Sequence, residues 1–74
     1  MTINTSQYEL SHGRKPKGRG LWALEITFTD NQGRYGTETV WANGTLAEAR
    51  KIGWSQIKST VGGAKQIVEV TVLP

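Results

Sequence analysis

A strict alternation between apolar and polar residues, running from Trp22 to Thr29, constrains the fold of this chain more than any other feature of its sequence. One set of side chains along this segment is large and apolar: Trp22, Leu24, Ile26 and Phe28. Successive side chains of a β-strand point to opposite faces of its sheet. The period of two therefore predicts a strand with one face buried and the other exposed.

The residues that follow this strand predict a β-hairpin. The tetrapeptide 30–33, Asp-Asn-Gln-Gly, has turn chemistry, since Asp can bond its own downstream backbone and Gly can adopt a positive φ. Tyr35 to Ala42 is rich in Thr, Tyr, Val and Trp, which are residues that strands favour. We expect this second segment to be the return strand.

The sequence leaves two registers open for this hairpin, because a shift of one residue exchanges the two faces. In one register Thr29 pairs with Arg34, and the odd-numbered residues of the return strand share the buried face. In the other a glycine bulge makes Asp30 pair with Arg34, and the even-numbered residues share it. We favour the first register, because it separates polar from apolar residues better and sets Trp22 beside Trp41 as a cross-strand aromatic pair.

The spacing of Thr45 and Glu48 is that of a capping box, which predicts that a helix begins here. We expect the helix to run to about Thr60 and to end at the glycines 62–63. Its apolar positions form one stripe: Leu46, Ala49, Gly53, Ile57 and Val61. A glycine within a helix costs about 1 kcal/mol relative to Ala, so Gly53 predicts a close approach of the helix backbone to the sheet.

A nearly continuous apolar run from Gln66 to Leu73 predicts the last strand, in an interior position of the sheet. Its inward side chains are expected to be Val68, Val70 and Val72. A hairpin followed by one helix and one strand, in the order ββαβ, predicts a two-layer α+β sandwich. Its sheet should be antiparallel, with the helix on one face.

The first 20 residues differ in composition from the rest of the chain. Residues 1–10 are polar, and their weak alternation predicts either a short additional edge strand or an arm; the alternating residues are Ser6, Tyr8 and Leu10. Residues 11–20 contain three glycines and a proline, which is the composition of a loop. We therefore divide the chain into a polar arm with a basic glycine-rich loop, residues 1–20, and one α+β domain, residues 21–74.

The length of 74 residues allows one domain, which buries only about 60% of the surface that its unfolded chain exposes. The chain has no cysteine, so neither a disulfide framework nor a thiolate metal site can reinforce the core. It shows no signal-peptide pattern and no run of about 18 apolar residues. We expect a soluble, unprocessed, cytoplasmic protein without a membrane partner.

The positive charge is concentrated in one place, although the net charge is +3. The basic segment, residues 14–19, has four of the nine Lys and Arg residues and no acid: Arg14, Lys15, Lys17 and Arg19. Cations spaced by glycine and proline form a flexible strip that can follow a phosphate backbone and release counterions. The basic segment therefore predicts nucleic-acid binding, with Arg34 as a further contact.

Reactive side chains do not cluster in the sequence. His12 is the single histidine and has no acid near it in the basic loop, while the six acids are scattered along the chain. Residues 13–20 approach a phosphate-binding loop, but Arg19 and Gly20 stand where that pattern needs Lys and a hydroxyl. We therefore expect no catalytic residue, metal or cofactor, and a protein that binds a partner rather than an enzyme.

A second hypothesis is a small phage- or plasmid-type regulatory protein that binds an acidic surface of a larger host protein. Its anchor would be a face of the helix that combines an aromatic ring with cations: Arg50, Trp54 and Lys58. An exposed edge, either residues 6–10 or the return strand, could also pair with a partner sheet.

Overall fold

The computed structural model describes residues 3–74 as a four-stranded sheet with two helices. The elements in chain order are β1 (Ile3–Asn4), α1 (Ser6–His12), β2 (Gly20–Asp30), β3 (Tyr35–Gly44), α2 (Leu46–Thr60) and β4 (Ala64–Val72). The strands are arranged in the order β1-β4-β2-β3. The predicted α+β sandwich is confirmed, with an additional short strand in front of the hairpin. Met1 and Thr2 of the predicted arm lie outside the described residues.

The sheet is mixed, whereas an antiparallel sheet was predicted. β2 is antiparallel to both of its neighbours, but β1 runs parallel to β4, with Ile3 paired to Val70. The two-residue strand β1 is too short to carry a sequence signal of its direction. Its parallel pairing is possible because residues 5–63 provide a long connection between the two strands.

The core lies between the sheet and α2. Its buried apolar residues come from the three longer strands and the helix: Trp22, Leu24, Ile26, Phe28, Val40, Ala42, Ala49, Ile57, Ile67, Val70 and Val72. The alternation along β2 is thus confirmed. Full burial of one such aliphatic or aromatic side chain contributes about 1.5–3 kcal/mol, so β2 provides the largest share of the core.

The hairpin adopts the second of the two registers, in which Asp30 pairs with Arg34, so the favoured first register is wrong. The N–H of Asp30 donates to the carbonyl of Arg34 at 2.9 Å, and Gly33 takes a φ of 79° between them. A three-residue loop with a left-handed glycine at its end is a common hairpin connection. The carboxylate of Asp30 stabilises the turn by accepting the N–H groups of Gln32 and Arg34 at 2.8 and 2.9 Å.

This register reverses the predicted faces of β3. Trp22 pairs with Ala42, and Trp41 pairs with Ala23 on the side of the sheet opposite to α2. Val40 and Ala42 are buried, whereas Trp41 is 62% exposed. The predicted pair of Trp22 and Trp41 is therefore wrong, because the glycine of the turn adds one residue to the loop.

Helix α2 follows its sequence signals. The hydroxyl of Thr45 accepts the N–H of Glu48 at 3.2 Å, and the carboxylate of Glu48 accepts the N–H of Thr45 at 2.8 Å, so the capping box is confirmed. The predicted end at Thr60 is also confirmed. A Cβ atom built on Gly53 would lie 2.5 Å from Cγ2 of Val40, which confirms the predicted close approach to the sheet.

A bulge in β4 changes one predicted core position. Ile67 pairs with Phe28 of β2. Glu69 pairs with Thr27, the preceding residue of β2, so that Val68 has no partner there. Val68 is 46% exposed, and its predicted inward orientation is wrong, because the extra residue turns its side chain outward. The other two positions are confirmed as buried, at Val70 and Val72.

The short edge strand that was one alternative for residues 1–10 is present as β1, but residues 6–10 form part of helix α1, so a strand at those positions is wrong. The N–H of Glu9 donates to the carbonyl of Thr5 at 2.9 Å, and the hydroxyl of Thr5 donates to the Glu9 carboxylate. Gly13, with a φ of 70°, ends the helix in the left-handed conformation. Local contacts between residues four apart thus outweigh an alternation that covers only three positions.

Candidate nucleic-acid interface

The basic segment connects α1 to β2 and lies on the surface. Glycines with positive φ stand before and within it, at Gly13 (70°) and Gly18 (77°). All its residues are exposed except Pro16, which is partly buried. The left-handed backbone at these two glycines lets the chain leave α1 and enter β2 while the intervening cations point into solvent.

One cation of the basic segment is held by helix α2. The guanidinium of Arg19 lies 2.8 Å from the carboxylate of Glu48. The Arg19 side chain is 68% exposed and the Glu48 side chain is 50% exposed. The backbone N–H of Thr45 and, next, the charge of Arg19 lower the pKa of Glu48. The end of the basic segment thereby contacts the N-terminus of α2.

The other three cations of the basic segment form no ion pair with residues 3–74: Arg14, Lys15 and Lys17. Their charge is therefore not neutralised by neighbouring carboxylates within the described chain. Because the remaining residues carry five cations against six acids, the positive field of the protein is centred on this segment.

A pocket of about 350 Å³ lies beside the basic segment, at the end of the sheet where β2 begins. We refer to it as the aromatic pocket, because aromatic rings, cations and a leucine line it together: Tyr8, His12, Lys17, Arg19, Leu21 and Trp41. The rings of Tyr8 and His12 stack with their centroids 4.0 Å apart. Tyr8 also contacts the buried Trp22, at 5.7 Å between centroids. The packing against Trp22 fixes this wall of the pocket.

Exposed apolar residues of the sheet also line the aromatic pocket. Trp41 and Leu21 are 62% and 60% exposed, on neighbouring strands. Large apolar residues that remain exposed beside cations are typical of binding surfaces. A flat ring next to Lys17 and Arg19 provides a stacking platform and a positive charge within one site.

Arg34 lies far from the aromatic pocket. It belongs to the hairpin turn at the other end of β2, and this strand of 11 residues spans roughly 33 Å at about 3.3 Å per residue. Its guanidinium lies 3.2 Å from the carboxylate of Asp30. The pKa of Asp30 is lowered chiefly by the backbone N–H of Arg34, with further contributions from the N–H of Gln32 and the guanidinium. Arg34 therefore stabilises the turn and does not extend the basic segment.

The second predicted site, on α2, brings its three residues to one side of the helix. The Nζ atom of Lys58 lies 5.9 Å from the centre of the Trp54 ring. Trp54 is partly buried against Phe28, at 5.9 Å between centroids, and Arg50 is also partly buried. Trp54 thus contributes to the packing of the helix on β2.

Four of the residues that define the aromatic pocket were not predicted as site residues from the sequence: Tyr8, His12, Leu21 and Trp41. The Asp-x-x-Gly turn contained the signal for Trp41, because a glycine in its fourth position favours a three-residue loop. For α1 the signal was the spacing of four between Thr5 and Glu9, and between Tyr8 and His12, which is typical of a helix.

Comparison with known proteins finds no family model, no curated protein and no solved structure that matches this chain. Within residues 3–74, no three His, Asp or Glu side chains lie together as a set of metal ligands. Neither helix in that range is long and apolar enough to cross a membrane. The chemistry of the aromatic pocket and the basic segment is therefore the guide to function.

Proposed function

We propose that this protein is a binding module for single-stranded nucleic acid. The observation that carries the proposal is that Lys17 and Arg19 line the same pocket as the exposed ring of Trp41. Phosphates bind the basic segment, and an unpaired base enters the aromatic pocket and stacks on Trp41. The protein acts by binding and catalyses no reaction.

The charge distribution supports the phosphate contacts. The cations that no carboxylate of the described chain neutralises, Arg14, Lys15 and Lys17, are adjacent in a loop that is exposed along its length. Each phosphate contact releases condensed counterions, and for single strands the logarithm of the binding constant falls by about 0.7 per contact for each tenfold rise in salt. Binding should accordingly be strong at low salt and weak at high salt.

The pocket supports the choice of single strands over duplex. A base in a duplex is stacked on its neighbours and cannot reach the ring of Trp41, which lies beside Lys17 and Arg19 in a concave site. Base stacking on an aromatic side chain contributes about 1–3 kcal/mol per base and accepts any base, since every base has a π face. We expect low sequence specificity.

The decisive experiment measures fluorescence anisotropy of labelled single-stranded and duplex oligonucleotides, DNA and RNA, at several salt concentrations. Replacing Arg14, Lys15 and Lys17 together by Gln should reduce the salt slope by about 2, which is three contacts at about 0.7 each. Trp41→Ala should weaken single-strand binding roughly 5- to 150-fold and leave the weak duplex binding unchanged.

Arg34→Gln is the matched control, because it removes one positive charge at the far end of β2. It should leave both the affinity and the salt slope close to those of the unchanged protein. Affinity that ignores salt, or that survives the triple substitution, would show that the basic segment does not bind phosphates. Equal losses from Trp41→Ala on single strands and duplex would exclude base stacking.

The alternative of a host-protein regulator relies on Arg50, Trp54 and Lys58. Its anchor is weaker than the aromatic pocket, because Trp54 is partly buried against Phe28 and so has a packing role. Capture of partners from a lysate treated with nuclease separates the two functions: retention of one protein after nuclease, and its loss on Trp54→Ala, favours the regulator.

A further inference from the structure

Strand β3 forms the long edge of the sheet. The opposite edge is β1, which has two residues, whereas β3 has 10. Asp30 and Arg34 form a hydrogen-bonded pair, and such pairs alternate along an antiparallel ladder. The even-numbered residues of β3 therefore bond to β2. The odd-numbered residues direct their backbone N–H and C=O groups outward: Tyr35, Thr37, Thr39, Trp41 and Asn43.

This edge has only one of the features that keep edge strands from pairing, the charge of Glu38. Protective features include short length, proline, lysine and bulges. The sequence of β3 contains no Pro, Lys or Arg, and Glu38 is its single charged residue. Its pairing with β2 runs in unbroken register from Gly20 and Gly44 to Thr29 and Tyr35. An edge of this kind is a template for another strand.

A side of α2 beside this edge is also uncharged. Its residues line a shallow depression: Ile52, Ser55, Gln56, Ser59 and Thr60. A second depression shares Gln56 and Thr60 and continues onto β3 at Glu38, Thr39 and Val40. We call the first set the uncharged flank. Ile52 is 43% exposed within it, whereas other exposed positions of α2 carry the charges of Glu48, Lys51 and Lys58.

We propose that β3 pairs with β3 of a second copy of this chain, antiparallel across a two-fold axis at Thr39. Antiparallel pairing of the outward residues then sets Thr37 opposite the partner's Trp41 and Tyr35 opposite the partner's Asn43. The backbone groups that β2 leaves unpaired become donors and acceptors for each other. The two sheets join into one.

The distribution of charge selects this register. With the axis at Thr39, Glu38 faces the partner's Val40, and the two carboxylates do not oppose each other. An axis at Glu38 would place like charges directly opposite, which is destabilising. An axis at Val40 would leave Tyr35 opposite the partner's Thr45, beyond the end of the strand. Gln56 of the uncharged flank lines the second depression together with Thr39, so an axis at Thr39 passes close to Gln56 of both copies.

The topology limits the assembly to two copies. A contact between identical patches closes on itself, whereas a head-to-tail contact continues into a filament. A filament through strand pairing would need a second open edge, and the other edge of the described sheet is β1 together with the part of β4 that β1 leaves unpaired. That part of β4 contains Lys65 and the bulge at Val68, both of which hinder strand pairing. The structure thus favours a closed dimer.

Sedimentation equilibrium over a range of concentrations tests the dimer. The chain has a mass of 8.1 kDa, so a dimer of twice 8.1 kDa is expected at high concentration. Thr39→Pro should reduce the mass to that of the monomer, because it removes an outward N–H and no bond to β2. Thr39→Ala, which keeps the N–H, should remain dimeric. A monomer at every concentration, or a dimer that survives Thr39→Pro, overturns the proposal.

A second pair of variants covers the case in which Thr39→Pro does not fold. Gln56→Glu places like charges near the axis and should raise the dimer dissociation constant. Ala47→Glu adds the same charge on the opposite side of α2 and should leave it unchanged. Equal effects of the two substitutions on the dimer dissociation constant would contradict a contact between the uncharged flanks of the two copies.

An introduced cysteine tests the register of the dimer. The chain contains no cysteine of its own, so any disulfide between two copies must form at the introduced residue. In hydrogen-bonded antiparallel pairs the Cα atoms are about 5.5 Å apart, which lies within the range for a disulfide. Thr39→Cys should therefore form a disulfide between two copies on oxidation, whereas Lys51→Cys should not. A dimeric Thr39→Cys variant that does not cross-link contradicts the axis at Thr39.

Discussion

Gly53 of α2 lies so close to Val40 of β3 that a Cβ atom on the glycine would be 2.5 Å from the Val40 Cγ2 atom. We therefore expect Gly53→Ala to destabilise the protein, although alanine favours a helix by up to about 1 kcal/mol. Overpacking of a core costs about 1–3 kcal/mol, so the net loss should be on the order of 1 kcal/mol. Urea denaturation measures it.

Two variants control the Gly53 experiment. Gly62→Ala adds a methyl group where no atom lies within 4 Å, and it should change the free energy of unfolding by less than about 0.5 kcal/mol. In a Val40→Ala background, Gly53→Ala should be less destabilising, because the clashing methyl group is gone. A Gly53→Ala protein with a larger free energy of unfolding than the unchanged protein would contradict the close contact.

The tryptophans of the hairpin should differ widely in their contribution to stability. Trp22 is 7% exposed and its Nε1–H donates to the carbonyl of Gly44 at 2.9 Å, whereas Trp41 is exposed. We expect Trp22→Ala to lose about 3–5 kcal/mol and Trp41→Ala to change stability by less than about 0.5 kcal/mol. Chemical denaturation followed by circular dichroism compares them. Similar losses would favour the register in which both rings are buried.

The hairpin shows what a sequence pattern can and cannot determine. The alternation of apolar residues along β2 was sufficient to predict its buried face, because one strand needs only its own period. Which face of β3 is buried depends on the number of residues in the hairpin loop. Gly33, with its left-handed backbone, adds one residue to this loop. The two faces of β3 differ little in hydrophobicity, since Thr37 and Glu38 stand beside Val40 and Trp41. Composition therefore could not decide between the registers.

The candidate site also contains one part that the sequence could predict and one part that it could not. The cations of the basic segment could be found from sequence, because a loop exposes its residues wherever it runs. The aromatic pocket could not, because it joins Tyr8 of α1 to Trp41 of β3, and these residues meet only through tertiary packing. Local periodicity contains no information about contacts between elements so far apart in the chain.

The bulge in β4 leads to a prediction about two neighbouring valines. Val70 is fully buried, while Val68 projects outward at the bulge. Threonine has nearly the shape of valine but adds a hydroxyl, whose burial without a partner costs about 1–3 kcal/mol. Val70→Thr should lower the free energy of unfolding by that amount, and Val68→Thr should leave it nearly unchanged. A larger loss at Val68, measured by urea denaturation, would contradict the bulge.

The stability of the fold should decrease in acid because of two carboxylates. The pKa of Asp30 is lowered from 3.8 by the N–H of Arg34, and the pKa of Glu48 is lowered from 4.5 by the N–H of Thr45. A folded pKa below the unfolded one means that the unfolded chain binds more protons in this range. The stabilisation is therefore complete above these ordinary values and is lost as the pH falls through the lower folded values.

Urea midpoints measured from neutral pH down to acid test this dependence. Asp30→Asn and Glu48→Gln should each make the curve flatter below the ordinary pKa of the replaced carboxyl. Glu69→Gln serves as the reference, because the carboxylate of Glu69 accepts no such hydrogen bond from residues 3–74. If the urea midpoint of a variant falls with pH as steeply as that of the unchanged protein, the replaced carboxylate does not contribute to the loss of stability in acid.

Glu48 joins two parts of the protein that are far apart in the chain. Its carboxylate accepts the N–H of Thr45 at the start of α2 and also pairs with Arg19 at the end of the basic segment. A substitution at position 48 would therefore change both the helix terminus and the loop anchor. As related sequences diverge, we expect positions 19, 45 and 48 to covary as a unit, whereas positions 14, 15 and 17 should exchange Lys and Arg independently.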